Sequence, residues 1–238
     1  MKLFDVKFFL QSIPKIFSAL PITLFISIVA CVLAVVLGLF LAMAKIYKVP
    51  FFKNLAAVYI SYIRGTPVLV QLYIIVYGIP KVIYYIQSEH NMLNGIDTNA
   101  IHPIVYVLIA YSINISAYVA EIIRSAIEAV GKDQMEAALA TGLTNAQAMR
   151  RIVLPQALQI ALPNFSNTLI SAVKDTSLVF VAGVMDVMAK ARVLGAREFS
   201  YLEVYIAAAL IYWASCIVLE KIFATVEKKT KKYKKDII

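Results

Sequence analysis

Charge is scarce in this sequence. Asp, Glu, Lys and Arg make up 16% of its 238 residues and 61% are hydrophobic, whereas an ordinary soluble domain is about one-quarter charged. A fold facing water on every side would expose far too much apolar surface, so lipid is the solvent for much of the chain. Cysteine is nearly absent. Cys31 and Cys216 both lie in apolar stretches and give no sign of a disulfide framework or a metal site. The two histidines, His90 and His102, lack metal-ligand spacing, and none of the eight glycines belongs to a G-x-x-x-x-G-K-[ST] run. The chain therefore has no phosphate-cradling loop of that kind and no cofactor assigned to it. Neither H-E-x-x-H nor G-x-S-x-G occurs, so no catalytic residue is assigned and an intramembrane enzyme finds no support.

The formal charge of +9 does not point to nucleic acid, because much of the excess sits in the run from Lys228 to Lys235, a short tail suited to a membrane surface. The length allows one domain, residues 1–238, without a separate soluble one. Measured against the roughly 20 residues a helix needs to cross a bilayer, the apolar stretches predict an all-α membrane protein with five transmembrane helices, near 16–44, 55–80, 103–120, 161–183 and 202–226. Five crossings put the termini on opposite sides. With the carboxyl end inside, inner segments hold 14 Lys and Arg and outer segments 7, so the carboxyl terminus is expected in the cytoplasm and the amino terminus outside. The loop from Lys81 to His102, with Glu89, Asn91, Asn94 and Asp97, is expected outside as a solvated connector.

Polar groups inside the spans are functional suspects, since each charge costs about 2.5 to 3.5 kcal/mol on insertion scales. Ser61, Arg64 and Gln71 are expected on one face of the second span, with Gly65 and Pro67 opening its backbone to a cavity. Asn164, Thr168, Ser171 and Asp175 recur at four, three and four residues along the fourth span, with Lys174 rotated away by about 100°. Tyr111, Asn114, Tyr118, Glu121 and Ser125 stripe the third, so three polar faces are placed to converge. Asp175 and Arg64 supply what a zwitterionic amino acid requires, an anion for its ammonium and donors for its carboxylate. The alternative is that Arg64, Lys174 and Asp175 pair with one another or cap broken helices and so hold the bundle together.

Between the third and fourth spans, about 132–155, runs a segment too polar to cross a membrane. It reads as two short cytoplasmic helices: Asp133 with Glu136 and Thr144 with Gln147 have capping-box spacing, and Gly142 lies where the first helix stops. Within it, Glu136, Ala137 and Ala138, then Gly142, Ile152, Leu154 and Pro155, resemble the EAA loop of permease subunits in binding-protein-dependent ABC importers. YIRGTPVLVQL (62–72), INISAYVAEIIR (113–124) and VKDTSL (173–178) are similar to the polar amino-acid branch of that family, the histidine, glutamine, arginine and cystine type, and the likeness covers nearly the whole chain.

The resemblance implies a type I importer transmembrane domain in a bacterial plasma (inner) membrane. Its partners are two copies of an ATP-binding subunit, which hold ATP and Mg, a solute-binding protein, and a second permease subunit in a homodimer or heterodimer. It implies that Glu136, Ala137, Ala138 and Gly142 dock in the ATPase subunit, and that the substrate is a polar amino acid, with cystine leading. Together the stripes and the matched segments put forward Ser61, Arg64, Thr66, Gln71, Asn114, Ser116, Ser171 and Asp175 as substrate-binding residues. A self-sufficient secondary transporter would instead be built from repeat-related halves, and none is visible.

Overall fold

The computed structural model describes the backbone of residues 4–90, 92–93 and 95–235, and side chains as far as residue 230. Lys2, Asn91, Asn94 and the side chains of Lys231, Lys232, Lys234 and Lys235 lie outside the described residues. The described chain is all-helical: α1 (Val6–Phe17), α2 (Leu20–Ile46), α3 (Phe52–Gly65), α4 (Val68–His90), α5 (Pro103–Ala129), α6 (Lys132–Ala140), α7 (Asn145–Ala148), α8 (Leu154–Asp175), α9 (Val187–Glu198) and α10 (Tyr201–Lys235). A π turn, Met149–Val153, joins α7 to α8, and a 3-10 segment, Thr176–Ala182, continues α8.

Among the described residues four helices are long and apolar enough to cross a membrane: α2, α4, α5 and the Tyr201–Thr230 part of α10. The stretch expected to form the fourth span falls outside this set because α8 carries Asn164, Asn167, Thr168, Ser171, Lys174 and Asp175 among its apolar residues. The stretch expected as one span over 55–80 is instead two helices, α3 and α4, with extended Thr66 (φ −120°, ψ 145°) between them. Proline clashes with a preceding residue in helical conformation, so Pro67 drives Thr66 out of the helix. The first expected span begins only at Leu20, after the separate helix α1.

α5 is the centre of the bundle and packs on α2, α3, α4 and α8. Its contact with α2 is made by small side chains: Ala30, Ala34, Gly38 and Ala42 on α2 recur at four-residue intervals and are buried. In lipid, where apolar side chains gain little by leaving their solvent, such faces let two helices approach closely and pack. At Gly38 the approach is tight enough that a Cβ would sit 2.6 Å from Val119 Cγ1 and 3.0 Å from the Ser116 carbonyl oxygen. Ile26, Leu72, Val107, Tyr111 and Val179 fill the core around this seam. A second core joins α1, α9 and α10 through Ile16, Val187, Leu194, Val204 and Ile211. Large apolar side chains such as Val32, Val36, Phe40 and Val58 face outward, as they do on a lipid-solvated surface.

Candidate functional site

Pro67 has no N–H, so the carbonyl of Ile63, four residues earlier, loses its helical partner. Gln71 replaces it. Its Nε2 donates to the Ile63 carbonyl at 2.8 Å, to Thr66 Oγ1 at 2.7 Å and to the Thr66 carbonyl at 3.1 Å. Its Oε1 accepts from Asn114 Nδ2 on α5 at 2.9 Å. The break is thereby closed from within and tied to the central helix, which holds Arg64 and Thr66 at a fixed edge.

That edge is one wall of a cleft of about 790 Å³ whose other walls are faces of α5 and α8. The α3–α4 junction contributes Arg64, Thr66, Pro67 and Val68; α5 contributes Asn114, Ile115, Tyr118, Glu121, Ile122 and Ser125. From α8 come Asn164, Asn167, Thr168, Ser171, Ala172 and Asp175. The helical stripes do converge. Of the residues put forward from the sequence, Arg64, Thr66, Asn114, Ser171 and Asp175 line the cleft, whereas Ser61, Gln71 and Ser116 do not. Gln71 is spent on the break, and Ser116, fully buried, donates to the Ile113 carbonyl and shares a 2.8 Å hydrogen bond with Tyr59. Ser61 and Gln71 do not share one continuous helix face, since the chain is extended between them. Tyr111 lies beneath the wall rather than in it, and its hydroxyl donates to the Asp175 carbonyl at 2.5 Å. Asn167, absent from the four-residue stripe, lines the cleft as well.

The charges are not arranged as mutual pairs of Arg64, Lys174 and Asp175. Among the described residues the ion pairs are Lys45–Glu121, Arg124–Glu121 and Arg124–Glu128. The Arg64 guanidinium lies 5.6 Å from the centre of the Tyr118 ring, within cation–π range, and Lys174 is exposed outside the cleft. At the other end of the α5 wall, Glu121 is neutralised by Lys45, from the end of α2, and Arg124. The i,i+3 spacing of Glu121 and Arg124 is visible in sequence. Lys45, 76 residues away, carries no such signal.

α6, α7 and the π turn pack together as a hook. α6 ends in a Schellman motif: Gly142, at φ +88°, donates to the Leu139 carbonyl at 2.9 Å and Leu143 to the Ala138 carbonyl at 3.3 Å. Thr144 then caps α7 in a full capping box with Gln147. The box expected at Asp133 does not form, because α6 starts earlier, with Gly131 (φ +85°) as N-cap and Asp133 inside the first turn. Glu136, Ala137 and Gly142 are exposed, Ala138 is buried against the hook, and Ala146, Gln147, Arg150 and Arg151 surround a second, basic hollow. No group of three His, Cys, Asp or Glu suited to a metal ion occurs among the described residues.

Residues 34–232 match the family described as binding-protein-dependent transport system inner membrane component. The chain is 43% identical over 237 residues to the L-cystine transport system permease protein TcyL of Bacillus subtilis, covering 100% of this chain and 96% of that protein. It is 36% identical to the probable amino-acid ABC transporter permease protein PatM of Vibrio harveyi, over 96% of this chain and 97% of that one. In the crystal structure of an amino acid ABC transporter with histidines, one chain superposes with a TM-score of 0.81 at 34% identity, covering 96% of this chain and 100% of its own length. A chain of the inward-facing MetNI methionine ABC transporter shares the fold at 14% identity, with a TM-score of 0.62. The chain thus belongs to the inner-membrane components of binding-protein-dependent transport systems, among the permeases of amino-acid ABC transporters.

Proposed function

We propose that this permease carries a polar amino acid, cystine first, from a solute-binding protein outside the cell into the cytoplasm, driven by a separate ATPase subunit that docks on the α6–α7 hook. The observation that carries the reading is the cleft: a space of about 790 Å³ with Arg64 and Asp175 in its walls, neither in an ion pair among the described residues, and amide and hydroxyl groups from Asn114, Asn164, Asn167, Thr168 and Ser171 around it. An amino acid has both charges to offer, and charge-assisted hydrogen bonds to it satisfy both side chains. Arg64, Thr66, Asn114, Ser171 and Asp175 are the substrate contacts in this reading. Gln71 and Ser116 support them from behind, and Ser61 stands apart. Cystine is favoured by the relative that bears that name, at 43% identity. Among the described residues the one cleft carboxylate besides Asp175, that of Glu121, is already paired with two cations, which disfavours a cargo of net positive charge.

In the membrane, α8 with its 3-10 continuation forms a fifth crossing beside α2, α4, α5 and α10. Its polar face meets the cleft and a second permease copy rather than lipid, consistent with the cost of polar groups in hydrocarbon. The carboxyl terminus and the hook face the cytoplasm, where the exposed Glu136 and Ala137 meet the ATPase, and its movement is passed to α5 and α8 at the two ends of the hook. ATP and Mg are held by that partner.

The test is uptake by the assembled complex in vesicles loaded with ATP, with each amino acid competing against labelled cystine. Cystine should compete best, and Asp175→Asn should raise the half-saturating concentration while the complex still assembles. Strong competition by arginine or glutamine with none by cystine overturns the cargo. Unchanged kinetics in Asp175→Asn overturns the substrate site.

A further inference from the structure

α1 has twelve residues, about 18 Å of helix at 1.5 Å per residue, well short of the ~30 Å hydrocarbon core. Its surface divides into three sectors. Phe8, Phe9, Ser12, Ile13 and Ile16 turn inward onto α9 and α10. Val6, Leu10, Pro14 and Phe17, at intervals of four, four and three, form an exposed apolar ridge. Lys7, Gln11, Lys15 and Ser18, at the same intervals one residue on, form an exposed basic and polar ridge beside it. Adjacent apolar and basic ridges on a helix too short to cross are the pattern of a helix lying in the plane of a bilayer surface.

We propose that α1 is an interfacial anchor whose second ridge binds the headgroups of anionic phospholipids. The charge balance on this face is one-sided. Neither Lys7 nor Lys15 is in an ion pair among the described residues. The two acids near the start of the helix are committed elsewhere: Asp5 caps α1 by accepting from the Phe8 amide at 3.0 Å, and buried Glu203 accepts from the Asp5 amide at 2.8 Å. That second bond clamps the helix to the beginning of α10, so its orientation is fixed by the fold. Pro14 also favours the headgroup layer over the hydrocarbon. It deprives the exposed Leu10 of a helical partner for its carbonyl, and such a group is tolerated where water and headgroups can donate to it but not among acyl chains.

The test uses the complex of this chain with its ATPase in bilayers of phosphatidylcholine containing phosphatidylglycerol, with spin-labelled forms of either lipid as probes. The wild-type complex should immobilise labelled phosphatidylglycerol in preference to labelled phosphatidylcholine. Lys7→Gln with Lys15→Gln should reduce that preference by up to about fivefold per lysine, the equivalent of about 1 kcal/mol for each basic side chain at an anionic surface. An unchanged preference overturns the proposal. So does a loss confined to affinity for a soluble binding protein, which would give the ridge to that partner. As an independent measure, nitroxides placed by Leu10→Cys and Lys15→Cys, in a background without Cys31 and Cys216, should differ in depth. The first should be open to oxygen and the second to a water-soluble relaxant. Two labels in hydrocarbon, or two in water, overturn the anchor.

Discussion

Removing the hydroxyl of Tyr111 separates the cleft's positioning from the stability of the bundle. The side chain is 1% exposed and its hydroxyl donates to the carbonyl of Asp175, at the point where α8 gives way to the 3-10 segment. Tyr111→Phe keeps the ring and its packing, so the change is one hydrogen bond in a membrane bundle. Such bonds average about 0.6 kcal/mol and reach about 1.7, and the carbonyl left behind adds part of its desolvation penalty. A loss of about 1 kcal/mol is expected, small enough for the complex to assemble. If that bond holds Asp175 in register, the half-saturating substrate concentration rises by up to about fivefold, the factor for 1 kcal/mol, with the maximal rate nearly unchanged. Tyr59→Phe is the comparison. Its hydroxyl donates to Ser116 Oγ at 2.8 Å and lies 2.9 Å from the Ile113 carbonyl, also between helices but outside the cleft lining. It should lower the melting temperature of the detergent-purified complex by a similar amount and leave the uptake kinetics alone. Equal kinetic shifts in both variants, or none in Tyr111→Phe, refute the positioning argument.

Glu136→Lys exchanges an exposed charge on the hook, so folding should change by less than about 0.5 kcal/mol, while uptake at fixed ATP falls about tenfold, the factor for ~1.4 kcal/mol of lost docking. Undiminished uptake with normal ATPase co-purification would remove the coupling role. Gly38→Val drives side-chain atoms into Val119 and the Ser116 carbonyl across the α2–α5 seam, and overpacking of this kind costs about 1–3 kcal/mol. Thermal unfolding should show the loss, and a second change, Val119→Ala, should recover only part of it, because the Cβ at 119, 2.9 Å from the added Cβ, and the Ser116 carbonyl oxygen stay in place. Full recovery would show that the backbone contact does not limit the approach.

Features controlled by neighbours in the chain are legible in the sequence. The hook is the best case: Thr144 and Gln147 cap α7, and Gly142 ends α6 in the left-handed region, because both motifs close within a few residues. Asp133 has the capping-box spacing but does not cap, because the helix begins at Lys132 behind Gly131 and leaves Asp133 inside the first turn. The polar stripes of α5 and α8, Tyr111 excepted, also line one cleft, since residues three and four apart share a helix face. Pro67 was legible as a weakness in the second span, but the complete break and its closure by Gln71 were not, since that closure depends on Asn114, 43 residues away.

Scarcity of charge, the lengths of apolar stretches and the local caps are properties of the chain itself, and they determined a helical membrane protein with a structured polar hook. Tertiary structure decided which polar side chains face the cleft. Gln71, Ser116 and Tyr111 are drawn inward to satisfy carbonyls, Lys45 reaches across to Glu121, and Arg64, Asn114, Ser171 and Asp175 are left facing the cleft. The physical reason is that a hydrogen bond away from water must be matched atom by atom, and the partners come from helices far apart in sequence.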